Sequence, residues 1–290
     1  MKVKASKGKW SFKPRLGLTI VFLSCSFFFV AGLFASNLIS QEARQRASSK
    51  QLQSVKEEII EYDLLSAGET GDDSITVIPF QILSWQPRAL YFPNFATSEQ
   101  CQSIINMSKP NLKPSTLALR KGETEENTKG IRTSSGMFIS ASEDKSGVLD
   151  AIEEKIARAT MLPRANGEAF NVLRYEIGQK YNSHYDAFHP AEYGPQKSQR
   201  VASFLLYLSD VEEGGETMFP FENGFDVDES YDFQKCTGLR VKPRKGDGLL
   251  FYSLFPNNTI DPTSLHGSCP VIKGEKWVVT KWIRDQELDE

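Results

Sequence analysis

The part of the chain that most constrains its fold begins at residue 168, where short strand-like segments follow one another without a helical segment between them. These segments are rich in β-branched and aromatic residues, which favour strands. Glycine-containing turns separate them, among them Gly214-Gly215, Lys245–Gly248 and Lys273-Gly274. Many short, evenly spaced strands predict a closed or sandwiched antiparallel β architecture.

The region before these strands contains two predicted helices and a stretch of edge strands. Prolines interrupt the β-rich segment 74–95, which is typical of edge strands and turns. Thr97, followed three residues later by Gln100, forms a capping-box pattern and predicts a helix that ends at Pro110. A second helix is predicted over 145–162, and its apolar residues recur at helical spacing: Val148, Ile152, Ile156 and Met161. We therefore expect an α+β fold in which helices flank a β core.

The N-terminal residues predict a membrane anchor. Residues 1–15 carry only basic charges, and residues 16–41 carry no charge. The uncharged run exceeds the ~20 apolar residues that span a bilayer, whereas a cleaved signal peptide has an apolar region of about 7–15 residues. We therefore expect a retained transmembrane anchor at 16–39, with the preceding residues as a cytosolic tail under the positive-inside rule. A stem at 40–74 and a folded domain at 75–287 would then be lumenal.

The stem, the cysteines and the sequons are compatible with a lumenal position. Apolar residues recur at roughly helical spacing in the stem, which fits a solvated spacer helix or a helix that forms homo-oligomers: Leu52, Val55, Ile59 and Leu64. Cys25 lies within the predicted anchor, so the other three cysteines allow at most one internal disulfide. Sequons at Asn106 and Asn257 would be open to N-glycosylation in the lumen. The net charge of −3 predicts no nucleic-acid partner.

The chain has three histidines, and two of them lie in the stretch YNSHYDAFHP, residues 181–190. His184 and Asp186 are two residues apart, so on a strand both side chains would face one point. His266, from a distant strand, would complete the facial triad that binds non-haem Fe(II). His189 is poorly placed as a ligand because it follows the expected strand end and precedes a proline. The residues alone also allow a surface His–Asp pair and an unrelated loop histidine.

A second signal follows ten residues after His266, in the segment KWVVTKWIR. Strand alternation places Lys276 and Lys281 on opposite faces. Lys276 has apolar strand neighbours, and burying a lysine is costly unless an anion pairs with it. Lys281 is instead expected to be an edge-strand lysine of the kind that limits aggregation.

Several blocks of the chain resemble the prolyl 4-hydroxylases, and in particular the plant-type, membrane-anchored members. The blocks are IRTSSGMFIS, RYEIGQKYNSHYDAF, RVASFLLYLSDVEEGGETMFP, KPRKGDGLLFYSL and DPTSLHGSCPVIKGEKWVVTKWIR, and the resemblance extends over 78–284. It implies a double-stranded β-helix, or jelly roll, flanked by helices. This implied fold agrees with the succession of short strands.

The resemblance implies roles for individual residues. His184, Asp186 and His266 match the family's iron ligands. Lys276 matches the lysine that pairs with the distal carboxylate of 2-oxoglutarate, and Tyr175 matches a tyrosine that helps to hold this co-substrate. The implied reaction is 4-hydroxylation of peptidyl proline in proline-rich secretory or cell-wall proteins, coupled to decarboxylation of 2-oxoglutarate to succinate and CO2. Fe(II), 2-oxoglutarate, O2 and ascorbate are the implied cofactors.

The resemblance also implies a peptide groove, because proline-rich substrates dock as polyproline II along aromatic surfaces. Tyr181 is the first candidate for the wall of this groove. Four further positions correspond to family residues that line the peptide channel: Arg132, Ser134, Glu168 and Arg200. Arg132 would equally suit a solvated loop. His189 is expected to line the pocket or to be a satisfied loop histidine.

We further expect a disulfide between Cys236 and Cys269, with Cys101 free or intermolecular. Cys269 follows His266 by three residues, and Cys236 opens the segment that leads into the adjacent strands. A loop closed in this way would tie down the strand that carries a metal ligand.

Two alternative functions use the same residues differently. One is another lumenal 2-oxoglutarate oxygenase, such as a peptidyl-lysine hydroxylase, and the other is a non-enzymatic jelly-roll binding module. The expected location is the endoplasmic reticulum membrane, with the Golgi as the alternative, in a single-pass type II topology.

Overall fold

The computed structural model describes residues 77–224, 231–232 and 234–287. Within these ranges no helix has the length and apolarity required to cross a bilayer. The predicted tail, anchor and stem, residues 1–74, lie outside the described residues. Three α-helices occur in the described part: α1 (Ser98–Ser108), α2 (Val148–Thr160) and α3 (Pro190–Tyr193).

Fourteen strands occur in the same part of the chain. They are β1 (Gln81–Trp85), β2 (Arg88–Phe92), β3 (Lys113–Pro114), β4 (Ser135–Ile139), β5 (Phe170–Tyr175), β6 (Tyr181–His184), β7 (Arg200–Tyr207), β8 (Glu213–Gly214), β9 (Thr217–Phe219), β10 (Leu239–Val241), β11 (Gly248–Tyr252), β12 (His266–Ser268), β13 (Val271–Lys273) and β14 (Lys276–Arg284). A major sheet has the order β1-β2-β11-β7-β14-β5-β4-β3, a minor sheet has the order β10-β9-β12-β6, and β13 pairs with β8. The strands pair antiparallel within each sheet, so the predicted antiparallel architecture with few helices is confirmed.

The two faces of the major sheet are covered by two hydrophobic cores. The first core packs the sheet against α1 and α2, and it includes Ile104, Ile152, Val172, Phe204 and Trp277. The second core contains side chains from both the major and the minor sheet, among them Leu173, Leu205, Phe219 and Val278. Because both faces of β14 are covered, its residues are buried almost without interruption.

Helix α1 begins as its sequence predicts, and helix α2 packs through an apolar face that differs from the predicted one at one residue. At the start of α1, Thr97 Oγ1 accepts a hydrogen bond from the backbone N–H of Gln100, whose side chain accepts from the backbone N–H of Thr97. This is the predicted capping box. Helix α2 buries Leu149, Ile152, Ile156 and Thr160. The prediction that Met161 belongs to this apolar face is wrong, because Met161 ends the helix in a left-handed conformation and is 87% exposed.

The interpretation of Lys281 as an edge-strand lysine is wrong. Strand β14 lies in the middle of the major sheet, and Lys281 is only 3% exposed. Its Nζ forms an ion pair with Glu153 of α2 and lies 4.4 Å from the centroid of the Phe170 ring. A Cβ atom at Gly167 would lie 2.5 Å from Lys281 Cε, so glycine leaves the space that the lysine occupies.

Lys281→Ala is expected to lower the free energy of unfolding by about 3 kcal/mol, because breaking a buried ion pair leaves a buried charge behind. The expected loss is at the lower end for such pairs because Glu153 keeps Arg164 as a second partner. Urea denaturation measures this loss. Lys273→Ala is the matched control. Lys273 pairs with Glu212 on the surface, so its substitution should change the free energy of unfolding only slightly. Equal effects of the two substitutions would contradict the buried pair.

The described cysteines divide into one disulfide and one free thiol. Cys236 and Cys269 are bonded, with their Cα atoms 5.4 Å apart, and this is the expected pair. Cys269 directly follows β12, so the bridge fixes the end of that strand. Cys101 is buried in α1, and burial raises the pKa of its thiol to about 11. The thiol therefore stays protonated at neutral pH, and Cys101 serves as a buried packing residue.

Candidate metal centre and adjoining groove

Two neighbouring strands of the minor sheet bring the sequence-distant histidines together. Strand β6 ends at His184 and β12 begins at His266, and the antiparallel register places these two residues opposite each other. The expectation that His184 and Asp186 share a strand needs a correction. The strand ends at His184, and Asp186 lies in the bend that follows. The bend still directs the carboxylate toward both imidazoles.

Hydrogen bonds orient both imidazole rings. Nδ1 of His184 lies 2.9 Å from the carbonyl oxygen of Asn182, and Nδ1 of His266 lies 2.9 Å from that of Ser264. A carbonyl oxygen only accepts, so Nδ1 carries the proton in each ring and Nε2 keeps its lone pair. The Nε2 atoms lie 3.6 Å and 3.5 Å from the two carboxylate oxygens of Asp186. One ligand atom from each side chain lies within 4.8 Å of the others, which suits a divalent metal.

Burial sets the protonation of the cluster. Burial lowers the pKa of His266 to about 4, so this imidazole is neutral at neutral pH and its Nε2 is free to bind a metal. Burial acts to raise the pKa of Asp186, but His266, which is cationic at the low pH where this carboxyl titrates, and Arg200 outweigh the effect of burial and hold the pKa below its usual range. Ser203 donates a hydrogen bond to the same carboxylate. At neutral pH the cluster thus presents an anionic Asp186 and a neutral His266.

His189 lies outside the cluster. It precedes α3, where its Nδ1 accepts a hydrogen bond from the backbone N–H of Ala191 at 3.3 Å. The described residues contain one other group of metal-binding residue types, Glu216 with Cys236 and Cys269. The two sulfur atoms of that group are bonded to each other, so they are not available as thiolate ligands.

A buried cation lies in the pocket that adjoins the cluster. Lys276 is 1% exposed, and its Nζ donates a hydrogen bond to Ser268 Oγ at 2.8 Å. Nζ lies 5.3 Å and 5.8 Å from the ring centroids of Tyr175 and Tyr207. Burial lowers the pKa of Lys276 to about 7, against the opposing effect of Glu216. No carboxylate of the described residues lies within ion-pair distance of this ammonium group, so it is available to an anion.

Tyr175 and Lys276 face the metal cluster across one pocket. Strand register pairs Tyr175 of β5 with Lys276 of β14. The walls of the pocket include both of these residues and all three members of the metal cluster. An anionic ligand in this pocket can therefore contact the metal and the ammonium group at the same time.

A wider groove opens in front of the cluster, and we call it the mouth groove. Its lining includes Arg132, Tyr181, His184, Tyr193, Arg200 and Trp282. The ring of Tyr181 stacks on His184, with centroids 3.7 Å apart and planes 19° apart. The guanidinium of Arg132 lies 4.8 Å from the Tyr181 centroid, and its Nη1 donates to the carbonyl of Thr116 at 3.2 Å. Arg132 is thus packed against the groove wall and is not a free loop cation.

Two of the residues expected to line the groove do not reach its surface and instead hydrogen-bond to the arginines that do. Ser134 is buried, and its Oγ accepts a hydrogen bond from Arg132 Nε at 3.3 Å. Glu168 accepts two hydrogen bonds of 2.7 Å from Arg200 and one of 2.7 Å from Arg284. Neither Ser134 nor Glu168 lines the mouth groove. They position the arginines at the groove surface.

Trp282 was not expected in the site, although strand alternation places it on the same face as Lys276. Its ring lies 3.8 Å from the guanidinium carbon of Arg200 and lines both the pocket and the mouth groove. Its Nε1 is buried and has no hydrogen-bond partner among the described residues. The periodicity of KWVVTKWIR was the available signal for this residue.

The asparagines of the two sequons lie at the surface, whereas Ser108 of the first sequon is buried. Asn106 is exposed on α1, and the Oγ of Ser108 donates to the carbonyl of Ile104 within the helix. Asn257 is exposed in the loop after β11, where its Oδ1 accepts a hydrogen bond from Thr259 Oγ1 at 2.7 Å. Both asparagine side chains are accessible for modification.

Known proteins are similar to this chain in both sequence and fold. The 2OG-Fe(II) oxygenase superfamily model matches residues 170–284. The chain is 66% identical over 279 residues to probable prolyl 4-hydroxylase 9 of Arabidopsis thaliana, covering 96% of this chain and 97% of the relative. It is 58% identical over 278 residues to prolyl 4-hydroxylase 13 of Arabidopsis thaliana, covering 96% and 98%. A collagen prolyl hydroxylase of Paramecium bursaria Chlorella virus-1, solved as a 2OG complex, is 26% identical with a TM-score of 0.50, covering 68% of this chain and 95% of that one.

Proposed function

The chain belongs to the plant prolyl 4-hydroxylase family, and from this we propose that it hydroxylates C4 of peptidyl proline with Fe(II) as cofactor and 2-oxoglutarate as co-substrate. The observation that carries the proposal is the single pocket that joins His184, Asp186 and His266 to the buried Lys276. We assign the pocket to a double-stranded β-helix core, the fold that the resemblance implies. The proposed substrates are proline-rich secretory or cell-wall proteins.

The donor set fits Fe(II). Two neutral imidazoles and one carboxylate form a facial triad, which leaves positions for further ligands on the metal. Bound Fe(II) would activate O2, so that one oxygen atom enters succinate as 2-oxoglutarate loses CO2 and the other enters the C4–H bond of proline. Ascorbate is the expected auxiliary reductant.

The pocket residues bind and shield the co-substrate. The ammonium of Lys276 would pair with the carboxylate of 2-oxoglutarate that is far from the metal, and the hydroxyl of Tyr175 would donate to the same carboxylate. Both residues are at most 2% exposed, so water cannot replace the bound anion easily. A charge-assisted hydrogen bond of this kind contributes about 1.5–3 kcal/mol.

The mouth groove would hold the peptide. Tyr181 and Trp282, which both line the mouth groove, offer aromatic surfaces to a polyproline II segment. Arg132 and Arg200 would donate to further carbonyls. Glu168 and Ser134 serve in this assignment as positioning residues for the two arginines.

We also infer the membrane topology from the sequence. Residues 1–15 would form a cytosolic tail, 16–39 an anchor and 40–74 a lumenal stem that holds the catalytic domain, 75–287, inside the endoplasmic reticulum or the Golgi. Either sequon would be open to glycosylation there. Protease treatment of intact microsomes should leave the catalytic domain whole. Digestion of this domain in the absence of detergent would contradict the proposed orientation.

A peptide panel tests the reaction. The full chain is incubated with Fe(II) and 2-oxoglutarate, and succinate is measured with proline-rich, collagen-like and lysine-containing peptides. Iron-dependent succinate release with the proline-rich peptides is expected. Turnover of lysine peptides alone would identify a lysine hydroxylase, and no iron-dependent succinate from any peptide would favour a binding module.

A further inference from the structure

The three residues of the metal cluster are held in place in two different ways. The imidazoles of His184 and His266 are each oriented by a backbone carbonyl of their own segment, two residues earlier in the chain. Asp186 has a partner in another part of the fold. Its carboxylate accepts a hydrogen bond from the hydroxyl of Ser203, 17 residues further along the chain. The orientation of the anionic ligand therefore depends on a contact between separate segments.

The hydroxyl that reaches Asp186 comes from a rigid part of the fold. Ser203 lies in β7, which is hydrogen-bonded to β11 on one side and to β14 on the other. Strand register places Ser203 opposite Phe251 on β11 and opposite Trp282 on β14. Ser203 is fully buried, so water does not compete for its hydroxyl group. The major sheet thus presents a donor to the metal cluster at a fixed position.

Asp186 requires such a donor because no strand holds it in place. Strand β6 ends at His184, and Asp186 lies in the bend that follows. Asp186 is buried, and a buried carboxylate is costly unless its oxygens accept hydrogen bonds. Ser203 donates to Oδ2, the oxygen 3.5 Å from Nε2 of His266, whereas Oδ1 lies 3.6 Å from Nε2 of His184. A donor on one oxygen therefore fixes the rotation of the carboxylate relative to both imidazoles.

We propose that Ser203 is a positioning residue for Asp186, an inference that rests on the proposed function. Its hydroxyl fixes the plane of the carboxylate, so that the three ligand atoms converge without rearrangement when Fe(II) binds. It also connects the metal cluster, which is carried by the minor sheet and the bend after β6, to the centre of the major sheet. Hydrogen-bond partners of metal ligands typically change metal affinity by about 10–100-fold. We expect the hydroxyl of Ser203 to have an effect at the lower end of this range.

The variants Ser203→Thr and Ser203→Val form a matched pair that tests the hydroxyl. Threonine and valine have nearly the same branched shape, but only threonine carries a hydroxyl. Any cost of the added volume at this buried position is therefore common to both variants. Fe(II) is titrated into the full chain in the absence of oxygen and 2-oxoglutarate, which measures binding of the metal alone. Ser203→Val should bind Fe(II) about tenfold more weakly than Ser203→Thr. Ser203→Ala, which adds no volume, should show a similar loss relative to the wild type.

Ser108→Ala is the control for the loss of a buried serine hydroxyl. Ser108 is also fully buried, but its hydroxyl donates to the carbonyl of Ile104 within α1. The Fe(II) affinity of this variant should equal that of the wild type. Turnover gives a second measure of Ser203→Ala, in which the Fe(II) concentration for half-maximal rate should rise while the KM for a proline-rich peptide stays unchanged.

The outcomes that contradict the role of Ser203 differ from those that contradict the proposed function. Wild-type Fe(II) affinity in both Ser203→Ala and Ser203→Val would overturn the positioning role alone. An equal loss of affinity in Ser203→Thr and Ser203→Val would also overturn it, because the cause would then be packing and not the hydroxyl. A wild-type protein that binds no Fe(II) would overturn the proposed function, and the role of Ser203 with it.

Discussion

Asp186→Ala and His184→Ala are each expected to abolish turnover and to weaken Fe(II) binding while the protein stays folded. Asp186 supplies the one anionic ligand, and its carboxylate lies between the two Nε2 atoms. Removing it leaves two neutral imidazoles, a set that binds divalent iron far less tightly. Fe(II) titration and succinate release measure the two losses, and far-UV circular dichroism checks the fold.

His189→Ala is the control for these ligand substitutions. It removes an imidazole that lies outside the cluster, so Fe(II) affinity should equal that of the wild type. Full activity in either ligand variant would rule out the iron site. Loss of Fe(II) binding in His189→Ala would mean that the ligand set has been assigned wrongly.

Lys276→Ala is expected to raise the 2-oxoglutarate requirement by at least tenfold with little change in Fe(II) affinity. The ammonium group is buried and has a serine hydroxyl as its hydrogen-bond partner, so the co-substrate carboxylate is its expected counter-ion. Loss of about 1.5–3 kcal/mol from one charge-assisted hydrogen bond corresponds to a change of this size. Lys276→Arg should need nearly as much 2-oxoglutarate as Lys276→Ala, because the planar guanidinium requires a pocket of a different shape.

The pH dependence of 2-oxoglutarate binding gives a second measure of the same residue. Burial lowers the pKa of Lys276 to about 7 in the free protein, and a bound carboxylate raises it again. Above pH 7 the lysine must take up a proton when the co-substrate binds, so the dissociation constant should increase with pH, by up to about tenfold per unit. Lys276→Ala should lose this dependence.

The surface variant Lys273→Ala is the control for both measurements, and it should bind 2-oxoglutarate normally. Lys281 is unsuitable because it is buried against Glu153, and its substitution would change stability as well. If a variant at Lys281 raised the 2-oxoglutarate requirement while Lys276→Ala did not, the strand register of β14 would be assigned wrongly.

Local sequence patterns predicted the parts of the fold that depend on local chemistry. The capping box at Thr97 and the opposite faces of Lys276 and Lys281 both follow from spacing alone. The position of β14 within the sheet does not, because strand order depends on contacts between distant segments. The sequence therefore predicts an edge position for Lys281, whereas β14 pairs with β5 on one side and with β7 on the other.

In the candidate site, too, local sequence patterns predicted some features, whereas contacts between distant segments determined others. The residue types and spacing of His184 and Asp186 predicted that they act together, but the strand end between them was visible only in the structure. Sequence resemblance named Glu168 and Ser134 as groove residues, and their contacts instead place them behind Arg200 and Arg132. The hydrogen bond from Ser203 to Asp186 could not be predicted, because it joins segments whose contact depends on how the two sheets pack.

The most direct measurement of prolyl 4-hydroxylation counts two products of one reaction. The full chain is incubated with Fe(II), 2-oxoglutarate, O2 and a proline-rich peptide, and 4-hydroxyproline and succinate are quantified together. The wild type should form the two in equal amounts, and Asp186→Ala should form neither. Iron-dependent succinate without 4-hydroxyproline, or 4-hydroxyproline formed at the wild-type rate by Asp186→Ala, would contradict the assignment.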